Sequence, residues 1–269
     1  MRSLTRREQY LEAIKKFRLM DDDFMSKVFD GSPECTEHVL RILLERDDIH
    51  VISVKTQYDI HSIEGHSIRL DILAKGADDV LFNVEIQRAD RGAGQKRARY
   101  YSGLLDTTAL QKGEDYGCLP DTYVIFITER DVLGEGKALY HVERMIDGEK
   151  EFNDGSHILY VNGAYRGEDP IGRLMHDFNC TEADDMTDTL LQGRTRYFKE
   201  STEGVNSMCL LMEQMRDEAA EKSAAEQAIK DAIDHVLNLM EHFKVGAEEA
   251  MNALKIPEEY RSAVLAALK

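Results

Sequence analysis

The chain has 269 residues, of which 42% are hydrophobic and 32% charged, and a formal net charge of −17. This length predicts either one large domain with an appendage or two domains. No apolar run is long enough to span a bilayer, and the N-terminus lacks the apolar core of a secretory signal. A chain with this negative net charge does not bind nucleic acid through its overall charge.

The first half of the chain alternates between helical and extended patterns. Residues 8–46 carry apolar residues at helical spacing and are predicted to be helical, with a break at Asp30–Pro33. Val51–Ile60 is rich in β-branched residues, which predicts a strand. Two further strands are predicted within Ser67–Arg88, and a helix over Gln95–Lys112.

The second half begins with strands and ends in helices. Thr122–Thr128 is a continuous apolar run, which is typical of a central strand buried on both faces. Strands are also predicted at Ala138–Ile146 and His157–Val161, and almost everything from Pro170 onward is predicted to be helical. Helix, three strands, helix and strand in this order predict an α/β domain over residues 1–200, followed by a helical region over residues 201–269.

The helical region contains a heptad-like register between residues 208 and 243. Its positions are Met208, Met212, Met215, Ala219, Lys222, Glu226, Ile229, Ile233, Val236, Met240 and Phe243. Lys222 and Glu226 interrupt it with charge, so the sequence allows one long helix or, equally, a kinked helix or two shorter helices. A helix pair is predicted at Ala247–Lys255 and Pro257–Lys269. The apolar seam predicts a homodimer through these helices, with packing on the tail's own helices as the alternative.

The paired strands within Ser67–Arg88 carry the most informative pattern of the chain. Apolar Ile68, Leu70, Ile72, Phe82, Val84 and Ile86 alternate with polar Arg69, Asp71, Asn83, Glu85 and Gln87. Folding back at Gly76–Asp79 would place Asp71 near Glu85, with Gln87 on the same face. Two such carboxylates are hard oxygen ligands suited to Mg²⁺. The alternative is that both lie on a solvated strand face.

A local cluster of positive charge follows this pattern, despite the negative net charge. It comprises Arg88, Arg91, Lys96, Arg97 and Arg99, opposed by Asp90. Its place beside the proposed metal site predicts contact with a phosphate backbone, and a solvated helix face is the alternative. The acidic surplus is predicted to lie elsewhere, notably at Asp21–Asp23 and Glu182–Asp188.

Other sites of chemistry are not indicated. Cys35, Cys118, Cys180 and Cys209 form no Cys-x-x-Cys pair, which predicts a cytoplasmic protein with free thiols rather than a zinc or redox motif. The histidines show no metal-ligand spacing and are interpreted as structural; those considered are His61, His66, His157 and His176. There is no Gly-rich phosphate loop and no Gly-x-Ser-x-Gly elbow.

The sequence resembles a known nuclease superfamily. Asp71 followed by Glu85-Ile86-Gln87 is similar to the D…(E/D)-x-K core of the PD-(D/E)XK nucleases. Within this superfamily, the amino-acid sequences of several segments resemble those of the PD-(D/E)XK nuclease family transposases or of recombination-promoting nucleases of the Rpn type. These segments are Leu19–Phe29, Arg69–Asp90, Lys96–Asp106, Gly113–Gly134 and Leu174–Met186.

The resemblance implies a fold and a metal site. The fold is a restriction-endonuclease-like αβββαβ core, here with an all-α C-terminal extension. Asp71 and Glu85 would bind Mg²⁺ or Mn²⁺ together with the backbone carbonyl of Ile86. A further acidic ligand would come from the first helix, for which Glu37 and Glu45 are candidates and Glu45 the better placed.

Gln87 departs from the superfamily, which has a lysine at this position, although Glu-x-Gln is the form common in the transposase-like group. Glutamine can donate and accept hydrogen bonds but cannot serve as a general acid or base. Lys96 or Lys112 could supply the missing charge, although an ordinary surface position explains both equally well. Gln95, Arg99 and Tyr100 resemble the glutamine-and-tyrosine helix that some of these nucleases place near DNA.

The sequence therefore predicts a metal-dependent DNA endonuclease acting in recombination or in a mobile element. Its catalytic residues would be Asp71, Glu85 and Gln87. The residues predicted to contact nucleic acid are Arg88, Lys96, Arg97, Arg99 and Tyr100. The alternative is a catalytically weak or inactive DNA- or partner-binding protein on the same fold, which the neutral Gln87, the negative charge and the helical tail favour.

Overall fold

The computed structural model describes residues 4–60, 68–88 and 92–268. His61, His66, Asp90 and Arg91, named above, lie outside these residues. The chain divides into two compact units, Met1–Met208 and Cys209–Lys269. In the described part of the chain, no helix combines the length and the apolarity needed to cross a membrane.

The first unit opens with helices and continues into the paired strands. Its first elements are α1 (Arg6–Lys16), α2 (Asp22–Phe29), α3 (Pro33–Leu44), β1 (Val51–Ile60), β2 (Ile68–Gly76) and β3 (Leu81–Gln87). Thr5 and Glu8 cap α1 reciprocally, each side chain accepting a hydrogen bond from the other residue's backbone. Pro33 stands in the first turn of α3, where its missing N–H leaves no hydrogen bond unmade.

A helix then crosses back to the strands that complete the sheet. The elements are α4 (Gln95–Ala109), β4 (Thr122–Thr128), β5 (Leu139–Val142), β6 (Met145–Ile146), β7 (Lys150–Glu151) and β8 (Ser156–Asn162). The single strand predicted over Ala138–Ile146 is wrong. The chain leaves the main sheet after Val142, and Met145–Ile146 pairs with β7 around a turn in which Asp147 and Gly148 both have positive φ.

Six strands form one mixed sheet in the order β1-β2-β3-β4-β8-β5. β1, β2 and β3 are antiparallel neighbours, β3, β4 and β8 are parallel, and β5 is antiparallel to β8. Every residue of β4 is buried, as its continuous apolar run predicts. The α/β fold with an αβββαβ core is confirmed.

Helices cover both faces of this sheet. On one face, α4 packs against a cluster that includes Leu70, Ala98, Tyr101, Leu105, Val124 and Phe126. On the other face, Ile72, Val84, Ile86 and Ile127 line a small cavity together with residues of α2 and α3. The predicted polar face of β3 is therefore the face that α4 covers, and Asn83 and Glu85 are both fully buried.

The alternation predicted for β2 breaks at Asp71. Leu70 packs on the α4 side, whereas Ile72 lines the cavity on the opposite side. In the ladder between β1 and β2, Thr56 pairs with Ile72 and Tyr58 pairs with Leu70. Gln57, between Thr56 and Tyr58, has a φ of 50°. Gln57 and Asp71, which face each other at this point, are missing from the ladder, and pairing resumes beyond them in the same register. This local distortion lies at the candidate catalytic aspartate.

Two helices complete the fold of the first unit, α5 (Pro170–Asn179) and α6 (Thr189–Glu200). Asp169 caps α5 by accepting from the Gly172 N–H, and Asp188 caps α6 by accepting from the N–H groups of Leu190 and Leu191. These helices lie on the α2–α3 side, where Phe178 packs on Phe29.

The tail contains α7 (Thr202–Phe243), α8 (Ala247–Ala253) and α9 (Glu258–Ala267). Of the two alternatives for the heptad-like segment, one continuous helix is the one observed. Within the second unit, Ala232, Val236, Ala250, Met251 and Val264 form a small core, against which Ile233 and Met240 pack. Ile233, Val236 and Met240 of the register are therefore packed by the helices of the second unit itself, whereas Phe243, its last position, is 70% exposed. Pro257 is the cap of α9 rather than its first helical residue.

Candidate active site

Asp71 and Glu85 meet where β2 and β3 separate. The two strands are paired from the point where Lys75 lies opposite Leu81 to the point where Ile72 lies opposite Val84. Beyond that pair, side chains accept the backbone hydrogen bonds. The Asp71 N–H donates to Glu85 Oε1 at 3.2 Å, and the Ile86 N–H donates to Asp71 Oδ2 at 2.7 Å. Asp71 is 7% exposed and Glu85 is 0% exposed, so the alternative of a solvated strand face is excluded.

The surroundings of the pair oppose its ionisation. Burial raises the pKa of Asp71, and the nearby charge of Asp22 raises it further. Burial also raises the pKa of Glu85, with a second contribution from Asp71. The backbone hydrogen bonds and the charge of Arg97 act in the opposite direction at both groups. Two acidic groups are thus held in a place where a second positive charge would be strongly favoured.

Asp22 is the acidic neighbour that the sequence analysis missed. It is the first residue of α2, and its Oδ1 accepts a hydrogen bond of 2.8 Å from Gln57 Nε2, the residue at the ladder distortion. Its pKa is raised by loss of water around it, although its surface keeps solvent contact. Asp21–Asp23 were predicted to belong to an acidic surplus away from the site, and that prediction is wrong. They lie inside Leu19–Phe29, one of the segments that resemble the nuclease family, and this position could have indicated that they belong to the site.

The two glutamates of α3 named as possible further ligands lie in other surroundings. Glu37 accepts the Val51 N–H at 3.0 Å and forms an ion pair of 2.6 Å with Arg41, so it joins α3 to the start of β1. Glu45 ends α3 in a left-handed conformation with a φ of 52°. It borders a surface cleft with Lys137 and Asp169, and the described lining of that cleft does not include Asp71 or Glu85.

Among the described side chains, Arg97 is the cation that contacts the Asp71–Glu85 pair, through Glu85. Its Nη2 lies 3.3 Å from Glu85 Oε2, and its Nη1 lies 3.4 Å from Gln87 Oε1. It was predicted to contact DNA, whereas here it points into the site. Lys96 and Lys112, suggested as sources of the missing charge beside Gln87, are both exposed.

The other residues predicted to contact nucleic acid lie at the end of β3 and on α4, close in sequence to Gln87 and Arg97. Arg88 follows Gln87 directly, is 59% exposed and forms an ion pair of 3.0 Å with Asp21. Glu129, paired with Arg18 at 2.9 Å, belongs to the same charge network. Lys96, Arg99 and Tyr100 are exposed on α4, as is Gln95.

The residues present fit a divalent cation. Both Asp71 and Glu85 offer carboxylate oxygens, the ligands that Mg²⁺ and Mn²⁺ prefer. Asn83, two residues before Glu85, is fully buried, and neither polar atom of its amide has a hydrogen-bond partner within bonding distance among the described atoms. It lies close enough to Glu85 to lower that residue's pKa slightly. The Asn83 amide is therefore a buried polar group next to Glu85 that no other described group occupies.

A second group with metal-ligand chemistry lies on α5. Ligand atoms of His176, Asp177 and Cys180 all lie within 4.8 Å of one another. Asp177 is fully buried and already accepts hydrogen bonds from Thr187 N–H, Thr187 Oγ1 and Asp188 N–H. Its carboxylate therefore joins α5 to the start of α6, and the interpretation of His176 as structural stays a prediction. His157 has a packing contact, stacked on Tyr123 at 4.4 Å.

Comparison with known protein families gives a match within the first unit. Residues 35–164 match the family described as PD-(D/E)XK nuclease family transposase. The matched segment runs from α3 to the end of β8 and contains Asp71, Glu85, Gln87 and Arg97. No curated protein and no solved structure gives a significant match to the chain.

Proposed function

Residues 35–164 belong to the PD-(D/E)XK nuclease family transposases, and from this premise we propose that the chain is a metal-dependent DNA endonuclease. The observation that carries the proposal is the buried Asp71–Glu85 pair at the separation of β2 and β3. Carboxylates buried this closely are costly to a fold unless they bind a cation or a proton. A nuclease uses such a pair directly.

The metal would be held by Asp71, Glu85 and the backbone carbonyl of Ile86. When bound, Mg²⁺ or Mn²⁺ supplies a more acidic water and neutralises charge that develops on the phosphate. Gln87 would orient the attacking water or a phosphate oxygen through hydrogen bonds, since its amide cannot take up a proton. Glu45, proposed from the sequence as a tentative further ligand, lies beside another cleft, and Asp22 takes its place in this proposal.

DNA would be bound by the residues around the pair. Arg88 follows β3, and the solvent-exposed Lys96, Arg99 and Tyr100 lie on α4, which covers the site. Cations placed along one edge of the site would attract a phosphate backbone although the whole chain is acidic. We propose a role in recombination or in a mobile element, and the proposal includes no strand transfer. The cytoplasmic location predicted from the sequence stays a prediction.

A nicking assay tests the function. Supercoiled plasmid DNA should be nicked in the presence of Mg²⁺ or Mn²⁺ and left intact with a chelator, and Asp71→Ala should be inactive. Calorimetry should show binding of the metal by the natural chain and none by the Asp71→Ala, Glu85→Ala double variant. Metal binding without any cleavage would favour the alternative, an inactive DNA- or partner-binding protein.

We also propose that the chain forms a homodimer through its tail. Ile233, Val236 and Met240 of the predicted seam are accounted for inside the second unit. Met212 and Met215 lie earlier in α7 and keep part of their surface exposed. Two nuclease domains joined in this way would offer one active site to each strand of a duplex.

A further inference from the structure

Arg97 occupies a position that the sequence pattern does not explain. Its guanidinium has four neighbours that accept hydrogen bonds: Glu85 Oε2 at 3.3 Å, Gln87 Oε1 at 3.4 Å, the Gly92 carbonyl at 2.9 Å and the Tyr101 hydroxyl at 2.5 Å. The guanidinium also lies over the Tyr101 ring, 4.9 Å from its centre. A side chain fixed by this many contacts has a defined place in the site.

The contact with Gln87 fixes the orientation of that amide. A guanidinium can only donate hydrogen bonds, so the atom of Gln87 facing Arg97 must be the oxygen. The Nε2–H groups of Gln87 are then the ones available to a water or a phosphate oxygen. Arg97 and Gln87 thus act together, one providing positive charge and the other providing directed hydrogen-bond donors.

We propose that Arg97 supplies, from α4, the positive charge that the superfamily places on a lysine at the position of Gln87. This inference rests on the proposed endonuclease function. Arg97 would stabilise negative charge developing on the scissile phosphate and would hold Gln87 in its productive orientation. A guanidinium is a planar cation with several hydrogen-bond donors, so the contribution of Arg97 would be electrostatic.

The other cations of this region have different surroundings. Lys96 and Arg99 flank Arg97 in sequence but are exposed, because residues one or two positions apart on a helix do not face the same way. Arg88 is paired with Asp21 at 3.0 Å. Arg97 itself is 36% exposed, so its guanidinium can reach both Glu85 and a bound phosphate.

The test compares four variants with the natural chain in the plasmid-nicking assay. Arg97→Ala should lower the cleavage rate by about 10²–10³-fold, the effect of removing one preorganised charge-stabilising donor. Arg97→Lys should retain more activity than Arg97→Ala. The double variant Arg97→Ala, Gln87→Lys should cleave at least about tenfold faster than Arg97→Ala, because the lysine restores the charge at position 87. Arg196→Ala removes an arginine of similar exposure in α6 and should cleave like the natural chain.

Two further measurements separate this role from a structural one. Arg97→Ala should keep the melting temperature of the natural chain within a few degrees and should still bind Mg²⁺ in calorimetry. Loss of metal binding would show that Arg97 only keeps the carboxylates in place, and would overturn the proposal. If Arg97→Ala fails to fold, Arg97→Gln keeps hydrogen-bond donors without the charge and should show the same loss of cleavage.

The outcomes distinguish this inference from the function on which it rests. A natural chain that binds Mg²⁺ but cleaves no DNA overturns the proposed endonuclease function. An active natural chain together with an equally active Arg97→Ala overturns only the assignment of Arg97. The same holds if Gln87→Lys brings no recovery in the Arg97→Ala background.

Discussion

The paired acidic residues of the candidate site are buried, although ionised carboxylates favour contact with water. Asp71 and Glu85 are buried next to each other, and burial raises the pKa of both. Arg97 offsets part of the charge, while Asp22 adds to it. Side chains chosen for stability alone would not be arranged in this way, which is typical of groups that act on a ligand.

The raised pKa values predict a stability that depends on pH and on metal. A carboxyl group whose pKa is higher in the folded chain than in the unfolded chain stabilises the fold fully below the unfolded value, about 4. That stabilisation is lost as pH rises through the folded value. Without divalent metal, the free energy of unfolding should fall over this range by about 1.4 kcal/mol for each unit of upward shift.

Thermal unfolding in the presence of a chelator, measured across that pH range, checks this prediction. Asp71→Asn and Glu85→Gln should each flatten the decline, because the substituted groups no longer ionise. Asp47→Asn, at an exposed carboxyl, is the matched control and should keep the slope of the natural chain. Mg²⁺ should raise the melting temperature most at the alkaline end. A natural chain with the same slope as Asp71→Asn would contradict the raised pKa.

Gln87 carries a separate prediction. Gln87→Ala removes both the hydrogen-bond donors offered to the substrate and the acceptor for Arg97, so cleavage should fall by about one to two orders of magnitude. Gln87→Lys should preserve or raise cleavage, because it restores the residue usual in the superfamily. Initial rates of plasmid nicking measure both. Unchanged cleavage by Gln87→Ala would remove this side chain from the mechanism.

The site could be predicted from the sequence only where it depends on local pattern. Asp71 and Glu85 lie on adjoining strands joined by a short turn, so alternation and a fold-back were enough to bring them together. The partnership of Arg97 with Gln87 depends on how α4 crosses the sheet, and Asp22 comes from a helix far away in sequence. Neither contact follows from the spacing of residues in the sequence. This explains why Glu45 was preferred as a ligand and why Lys96 and Lys112 were considered before Arg97.

At the scale of elements, the strands that were predicted best are those with a single dominant pattern. β1 and β4 have the predicted limits, because β-branched and continuous apolar runs leave no helical alternative. Val142–Ile146 contains apolar residues on both sides of a departure from the sheet, and composition does not reveal which sheet a residue joins. The change of face between Leu70 and Ile72 was also hidden, since it coincides with a left-handed residue, Gln57, on the neighbouring strand.

The junction between α6 and α7 provides a test at this scale. A Cβ added to Gly204, in the first turn of α7, would lie 2.1 Å from the Tyr197 carbonyl oxygen of α6. Gly204→Ala should therefore destabilise the fold by about 1–3 kcal/mol, the usual effect of overpacking. Gly193, inside α6, has open space around it. Gly193→Ala should stabilise the helix by up to about 1 kcal/mol.

Chemical denaturation followed by circular dichroism compares the two alanine variants directly. The same substitution is made in neighbouring helices, so a difference in sign isolates the close approach at Gly204 from helix propensity. Equal stability of the two variants would show that α6 and α7 are not packed as closely as the structure has them.

At the scale of the whole molecule, net charge is a poor guide to the site. The chain is strongly acidic, yet its candidate site brings Arg97 onto the carboxylates and leaves Lys96 and Arg99 exposed on the covering helix. Asp22, which is part of the acidic surplus, lies near Asp71 and adds negative charge to the site. A bound cation would offset that charge. The charge therefore supports a metal-dependent reaction better than metal-free binding of DNA.

The limits of the first unit predict which truncated chain folds. The sequence placed the boundary at residue 200, whereas the compact unit extends to Met208. Residues 201–208 contact the first unit closely: Gly204 lies against α6, Asn206 Oδ1 accepts from Arg7 at 2.9 Å, and Met208 is fully buried. A chain ending at Met208 should therefore fold and bind metal, and a chain ending at Glu200 should have a lower melting temperature.

The same truncations test the dimer. In analytical sedimentation at tens of micromolar, the full-length chain should be a dimer, and the chain ending at Met208 should be a monomer because it lacks the tail. Met215→Glu in the full-length chain places a charge on the part of the predicted seam that stays half-exposed, and it should shift the dimer toward monomer. Leu237→Glu, at an exposed residue of the same helix outside that seam, is the matched control and should leave the dimer intact. A full-length chain that sediments as a monomer would rule out pairing through the tail, and each nuclease domain would then have to cut the two DNA strands in separate encounters.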